Sequence, residues 1–173
     1  MNAIKSLLFL ILVAGLGAGY IPFMLLPGDP QVETGPFAYL AFPLWLLGAM
    51  TILWCFSDFT IKGHGTPNPI DPPKELVATG LYHYVRNPIY LGVLVIIIGH
   101  FLWFKTIWML AYAVVVFLAF HLFVIFYEEP TLKEKFGATY ENYYKTSPRW
   151  VPRIRWRQTG KLLFLMMFPL LLN

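Results

Sequence analysis

Two apolar stretches, residues 88–104 and 107–127, follow one another with only Lys105 and Thr106 between them. At about 1.5 Å of rise per helical residue, the first is roughly 25 Å long, against a bilayer core of about 30 Å. A two-residue connection makes the stretches antiparallel, so residues before position 88 and residues after position 127 meet at one end of a hairpin. This hairpin is typical of a helical membrane protein.

The composition and two further apolar stretches extend this interpretation to the whole chain. Charged residues make up 13% of the 173 residues, whereas soluble domains carry about a quarter. Residues 4–26 and 37–56 are also apolar, which brings the predicted spans to four. We predict an all-α membrane protein forming a single multi-pass domain over residues 1–173, with a cytoplasmic-side loop and one interfacial helix at 129–144. The apolar segment 162–172 is short for a span, and its route stays open.

The distribution of basic residues predicts the orientation. With four spans, the N-terminus, the loop of residues 57–87 and the C-terminal region share one side of the membrane. Twelve of the thirteen Lys and Arg residues lie on that side, and only Lys105 lies opposite. The positive-inside rule makes the basic side cytoplasmic, which in a bacterium means the inner membrane. Membrane lipids are the expected partners, nucleic acid is not, and the oligomeric state stays open.

Polar residues collect where both helices of the hairpin reach the basic side. Arg86, Asn87 and Tyr90 enter the first helix, and Glu128 and Glu129 leave the second. Because Lys105 closes the hairpin, position 90 faces roughly position 121 and Arg86 faces roughly 125–129. One interpretation is a salt bridge that pins the helix ends. The other is a ligand pocket, since polar groups at membrane depth are costly.

The chemistry of these residues suits a small charged ligand. Carboxylates accept from ribose hydroxyls or ammonium groups, and an arginine holds a carboxylate or phosphate through two bonds. Tyrosine rings present a π face to a cation. S-adenosylmethionine combines these needs, although a nucleotide or a lipid headgroup meets several of them.

The sequence resembles the integral-membrane methyltransferases that include isoprenylcysteine carboxyl methyltransferase and phospholipid methyltransferases. The resemblance covers residues 63–152 and rests on three motifs in a fixed order across the hairpin. The motifs are Leu76-Val77-Ala78-Thr79-Gly80-Leu81-Tyr82, Arg86-Asn87-Pro88-Ile89-Tyr90-Leu91-Gly92, and Glu128-Glu129 followed by Leu132, Phe136-Gly137, Tyr140 and Tyr144.

The resemblance implies transfer of a methyl group from S-adenosyl-L-methionine, bound on the cytosolic face by residues 63–92 and 127–152, to a membrane-partitioned acceptor. It assigns cofactor binding to Lys74, Glu75, Leu76, Val77, Asn87, Pro88, Ile89, Tyr90 and Glu128. Candidate catalytic residues are Tyr82, Arg86 and Glu129. We expect no metal, because His100 and His121 are separated by roughly 16 Å along the hairpin axis.

Two departures from the family pattern bear on the acceptor. The family usually has His at the position of Asn87, and its carboxyl-methylating members have Arg at the position of Val124. A buried acceptor carboxylate needs a nearby cation, so Val124 disfavours a prenylcysteine-like carboxylate. A neutral acceptor, a thiol and a lipid headgroup amine stay open as alternatives. If the acceptor loses a proton, Glu128, Glu129 or Tyr82 could accept it.

Two other functions stay open at this point. Sterol reductases, which use NADPH, carry a similar Arg-x-Pro-x-Tyr motif in their C-terminal halves, but this chain is short for their additional spans. A non-enzymatic membrane scaffold would need the contacts between Arg86 and the two glutamates only to hold the hairpin together.

Overall fold

The described part of the protein is helical throughout. The structure, a computed structural model, describes residues 11–26, 35–63 and 74–152, and these ranges contain no β-strand. The helices are α1 (Ile21–Met24), α2 (Ala41–Ile61), α3 (Pro88–Phe104), α4 (Ile107–Phe123), α5 (Glu129–Phe136) and α6 (Ala138–Thr146). A π-helical segment, Ile11–Tyr20, precedes α1, and short 3₁₀ turns occur at Ala38–Leu40 and Gly80–His83.

Several predicted features lie outside the described residues. These are residues 4–10 of the predicted first span, residues 64–73 of the predicted loop, and the apolar segment 162–172. The four predicted spans therefore stay a prediction. Within the described ranges the second predicted span begins as a 3₁₀ turn, and its helix continues five residues beyond position 56, to Ile61.

Within residues 11–26, 35–63 and 74–152, two helices are long and apolar enough to cross a membrane: Ala38–Ile61 with 24 residues and Ile107–Phe136 with 30. Pro88–Phe104 is apolar but shorter, at 17 residues. Only 22% and 17% of the most apolar windows of the two long helices are buried. A core helix of a soluble protein would be mostly buried. Large apolar side chains such as Leu46, Val115 and Leu118 instead face outward, which favours contact with lipid.

Two glycines let α2 and α3 approach closely. A Cβ atom at Gly48 would lie 2.6 Å from the carbonyl oxygen of Gly92, and one at Gly92 would lie 3.0 Å from the carbonyl oxygen of Gly48. Small residues at helix contacts are typical of packing in lipid. Beside this contact Ile52, Val93 and Ile97 form part of the apolar core with Ala113 of α4. The crossing fixes the position of the start of α3, where the polar motif lies.

The hairpin of α3 and α4 closes as the sequence predicts. Lys105 adopts a left-handed conformation with φ of 44° and ends α3, and α4 begins at Ile107. After α4, residues Val124–Glu128 form a π-helical turn that leads directly into α5. Such π-turns inside α-helices are frequent at functional sites. This one lies immediately before Glu129, so it sets the direction of both carboxylates.

The predicted interfacial helix at 129–144 is wrong in one respect. The structure has two helices there, α5 and α6, because Gly137 between them has φ of 51° and ψ of −126°. A residue with a side chain rarely adopts that conformation. The break returns α6 across the mouth of the hairpin. Tyr140 and Tyr143 of α6 consequently pack with Tyr82, Val77 and Cys55 in a second buried cluster.

Candidate functional site

Tyr90 and Glu128 join the two helices of the hairpin at its polar end. The Tyr90 hydroxyl donates a 2.8 Å hydrogen bond to Oε2 of Glu128. The Tyr90 ring stacks on Phe120 of α4, with centroids 4.5 Å apart. Tyr90 is buried, so its hydroxyl needs a partner inside the protein. The bond fixes the direction of the Glu128 carboxylate.

Glu129 binds two arginines from different parts of the chain. Arg149 makes a bidentate pair with it, Nε lying 2.7 Å from Oε1 and Nη2 lying 2.8 Å from Oε2. Arg86 approaches the same carboxylate, with Nη1 3.1 Å from Oε1. The hydrogen bonds that Arg149 donates to Glu129 raise the pKa of Arg149 above its usual value. Two guanidinium groups around one carboxylate leave this group of three residues with a net positive charge.

Arg86 is nearly buried and incompletely bonded. Its side chain is 8% exposed, and its guanidinium carbon lies 4.0 Å from the ring centroid of Tyr144. Within the described residues, Nε and Nη1 donate no hydrogen bond, since the approach of Nη1 to Glu129 lacks hydrogen-bond geometry. Buried donors without an acceptor are rare and costly. These two nitrogens are therefore available to a further acceptor.

The segment that follows α6 lies across the site. The backbone N–H of Arg86 donates to the carbonyl oxygen of Pro148 at 2.8 Å, and Asn87 Nδ2 donates to the carbonyl oxygen of Arg149 at 3.1 Å. Trp150 Nε1 donates to Nδ1 of His121 at 2.9 Å. The amide of Asn87 is therefore used to hold this segment.

Tyr82 lies in the apolar cluster beside the polar residues. It is buried, and the hydroxyl of Tyr143 donates to its carbonyl oxygen at 2.9 Å. Burial raises the pKa of the Tyr82 phenol well above its usual value, and the nearby Cys55 and Glu128 act in the same direction. The phenol consequently stays protonated at neutral pH and can donate a hydrogen bond there.

Two small cavities and one groove adjoin these residues. One cavity of about 30 Å³ is lined by Phe59, Tyr82, Arg86, Asn87, Ile89, Tyr90 and Glu128. A second, of about 20 Å³, is lined by Arg86, Asn87, Val124, Glu128, Glu129, Leu132, Tyr140 and Tyr143. A groove of about 530 Å³ is lined by Ile125, Glu129, Pro130, Lys133, Tyr140, Glu141, Tyr144 and Lys145. The groove shares Glu129 and Tyr140 with the second cavity.

The structure brings together most, but not all, of the residues that the sequence singles out. Those lining the two small cavities are Tyr82, Arg86, Asn87, Ile89, Tyr90, Glu128 and Glu129. The remaining five, Lys74, Glu75, Leu76, Val77 and Pro88, line neither of those cavities nor the groove. Lys74 and Glu75 are exposed, Val77 is in the Tyr82 cluster, and Pro88 is the buried first residue of α3.

Arg149 is the main site residue that the sequence analysis missed. It belongs to a run of basic residues, and such runs are usual near anionic lipid headgroups. A signal was nevertheless present in the charge count. Glu128 and Glu129 at the membrane boundary face only Arg86 among the motif residues, and a second cation is required to balance their charge.

Comparison with known protein families agrees with the resemblance of the motifs. A family model described as phospholipid methyltransferase matches residues 27–139, more than half of the chain. Searches of curated proteins and of solved structures gave no match. The matched range contains the hairpin, Arg86, Asn87, Tyr90 and both glutamates. This protein therefore belongs to the phospholipid methyltransferase family, a family of membrane methyltransferases.

Proposed function

We propose that this protein transfers a methyl group from S-adenosylmethionine to the headgroup of a membrane lipid at the cytoplasmic face of a multi-pass membrane domain. Family membership supports methyl transfer and membrane association. The observation that carries the choice of cofactor is Arg86, whose two buried N–H donors have no acceptor among the described residues.

The charged groups around Arg86 match those of S-adenosylmethionine, and the cavities beside it, about 30 and 20 Å³ in this structure, must widen to admit the ligand. Either unused nitrogen of Arg86 can donate a charge-assisted hydrogen bond to the carboxylate of the ligand's amino-acid part. The Glu128 carboxylate suits its ammonium group or ribose hydroxyls, and the tyrosine rings suit a sulfonium. We therefore assign cofactor binding to Arg86, Asn87, Tyr90 and Glu128. Lys74, Glu75, Leu76, Val77, Pro88 and Ile89 stay candidates from the family resemblance alone.

The groove suits the acceptor. Its volume of about 530 Å³ falls within the 300–1,000 Å³ typical of small-molecule sites. Lys145 and Lys133, which also pairs with Glu141 at 3.1 Å, supply cations for a phosphate. The half-buried Ile125 adds an apolar side chain to the groove. We favour a lipid headgroup over a thiol because a thiol offers nothing for these lysines to bind. A prenylcysteine-like carboxylate is disfavoured further by Val124, which is buried at the position where an arginine would bind it.

The chain's own residues chiefly orient the reactants and accept a proton. S-adenosylmethionine supplies an activated methyl group when bound. The protein holds the acceptor in line with that group, since orientation and exclusion of water account for much of such catalysis. An amine acceptor must lose a proton. Glu129 has both oxygens engaged by Arg149, so we assign proton acceptance to Glu128, which is bonded by the neutral hydroxyl of Tyr90.

Ligand-dependent stabilisation tests the cofactor assignment. Detergent-purified protein should melt at a temperature that rises with the concentration of S-adenosylmethionine or S-adenosylhomocysteine, because a ligand of the native state stabilises it. NADPH should have no effect. Glu128→Gln should weaken the response to the methyl donor, whereas Glu134→Gln, at an exposed position of α5, should not. A response to NADPH alone would instead support a reductase.

Transfer of a labelled methyl group tests the acceptor. Protein reconstituted into vesicles that contain an aminophospholipid should label the lipid fraction when given S-adenosylmethionine with a radioactive methyl group. Vesicles in which every headgroup amine is already quaternary serve as the control. Equal labelling of both vesicle types would contradict an amine acceptor.

A further inference from the structure

Glu129 contacts its two arginines with different geometries. Arg149 binds both carboxylate oxygens with N···O distances of 2.7 and 2.8 Å. Arg86 lies 3.1 Å from one of them, and its Nε and Nη1 have no hydrogen-bond acceptor in the described part of the chain. A bidentate pair is the strongest arrangement that an arginine and a carboxylate form. Arg149 therefore satisfies Glu129, and Arg86 is left as a buried cation with unused donors.

The backbone around Arg149 is held independently of its charge. Ser147 Oγ donates to the carbonyl oxygen of His83 at 3.1 Å, and Asn87 Nδ2 donates to the carbonyl oxygen of Arg149. The Trp150 ring is tilted against Tyr90 and Phe117, with centroid distances of 6.5 and 5.2 Å. These contacts fix the segment on both sides of position 149. None of these contacts involves the guanidinium of Arg149, and together they position it beside Glu129.

We propose that Arg149 is a positioning residue: by occupying both oxygens of Glu129, it keeps the donors of Arg86 available for the carboxylate of the bound methyl donor. This inference rests on the proposed function. Without Arg149, Glu129 is free to turn toward Arg86 and to accept a hydrogen bond from its Nη1, which already lies 3.1 Å from Oε1. The carboxylate of the ligand then loses Arg86 as its hydrogen-bond donor, although every residue proposed to contact the ligand is still present.

Binding of two related ligands distinguishes a positioning role of Arg149 from a role in stabilising the fold. S-adenosylhomocysteine carries the amino-acid carboxylate, and 5′-methylthioadenosine has the same adenosine thioether without it. We expect Arg149→Ala to raise the Kd for S-adenosylhomocysteine at least tenfold and to leave the Kd for methylthioadenosine within about twofold. Isothermal titration of the full-length protein in detergent measures both values, and the melting temperature of each variant reports whether it is folded.

Two further variants sharpen the test. Arg149→Lys keeps the charge but not the planar fork, so it should behave like Arg149→Ala; if the alanine variant does not fold, the lysine variant supplies the comparison. The double variant Arg149→Ala/Glu129→Gln removes the carboxylate that would capture Arg86. It should therefore bind S-adenosylhomocysteine more tightly than Arg149→Ala does, a reversal that a merely structural arginine would not produce.

The outcomes distinguish the positioning role from the proposed function. If the unmodified protein binds neither ligand, the cofactor assignment itself is wrong. If it binds S-adenosylhomocysteine, and Arg149→Ala weakens both ligands equally or neither, the positioning role is wrong while the proposed function stands. Selective loss of S-adenosylhomocysteine binding, recovered in the double variant, is the result that supports the inference.

Discussion

The hydroxyl of Tyr90 donates a 2.8 Å hydrogen bond to Oε2 of Glu128, and this bond joins positions that are 38 residues apart in the chain. Its two partners lie at the start of α3 and immediately after α4. The bond can form only because the hairpin closes in two residues and the π-helical turn at Val124–Glu128 directs the carboxylate inward. The geometry of the hairpin thus sets the direction of the Glu128 carboxylate.

Removing the Tyr90 hydroxyl should weaken binding of the methyl donor. A hydrogen bond to a charged group contributes about 1.5–3 kcal/mol, and about 1.4 kcal/mol corresponds to a tenfold change in an equilibrium constant. Tyr90→Phe leaves the Glu128 carboxylate without the donor that orients it. We therefore expect the Kd for S-adenosylhomocysteine to rise about tenfold, measured by isothermal titration in detergent.

A second tyrosine provides the matched control for this variant. The hydroxyl of Tyr112 donates to the carbonyl oxygen of Gly17 at 2.7 Å, and Tyr112 precedes Glu128 by roughly 24 Å along the helix axis. Tyr112→Phe deletes the same atom and should lower the melting temperature without changing the Kd. Equal increases of the Kd in both variants would mean that Tyr90 acts through stability alone.

Tyr82 should affect the rate of methyl transfer without contributing a titrating group. Burial holds the pKa of its phenol well above the usual value, so the group stays protonated between about pH 6 and 9. Tyr82→Phe should lower kcat while the pH dependence of kcat/KM keeps its shape. Tyr39→Phe, at an exposed tyrosine, serves as the control. A limb of the pH profile that disappears only in Tyr82→Phe would show that the phenol titrates.

The closeness of α2 and α3 should make Gly48 intolerant of any side chain. A Cβ atom there would lie 2.6 Å from the carbonyl oxygen of Gly92, so Gly48→Ala forces the helices apart. Overpacking of this kind costs about 1–3 kcal/mol, which should appear as a lower melting temperature in detergent. At Gly19 a Cβ atom meets nothing within 4 Å, and Gly19→Ala should be neutral or slightly stabilising. Similar losses in both variants would contradict the close crossing.

The local geometry of the site was largely predictable from the sequence. A hairpin closed at Lys105 predicts that position 90 faces roughly position 121, and the structure stacks Tyr90 on Phe120. The same count places Arg86 opposite residues 125–129, and its guanidinium lies 3.1 Å from Glu129. Helical rise and a two-residue turn suffice for these positions, because no other element intervenes.

The contribution of the segment after α6 was not predictable in this way. Arg149 reaches Glu129 because Gly137 breaks the helical path and α6 folds back over the hairpin. The sequence has a glycine at this point, but the direction taken after it depends on packing of Tyr140 and Tyr143 against Tyr82. Such contacts between distant parts of the chain are not encoded in the spacing of any one motif.

The predicted orientation can be tested with the single native cysteine in place. Cys55 is fully buried, so the unmodified protein should resist a membrane-impermeant maleimide. Ile107→Cys lies at the turn of the hairpin, and Glu134→Cys lies on α5; both positions are exposed. If twelve of thirteen basic residues mark the cytoplasmic side, the maleimide should label position 107 but not 134 in intact cells. In inverted vesicles it should label position 134 but not 107.

Labelling of both positions from one side would place the start of α4 and the carboxylates on the same face. The hairpin would then not cross the bilayer, and the lipid-facing groove proposed for the acceptor would lose its support.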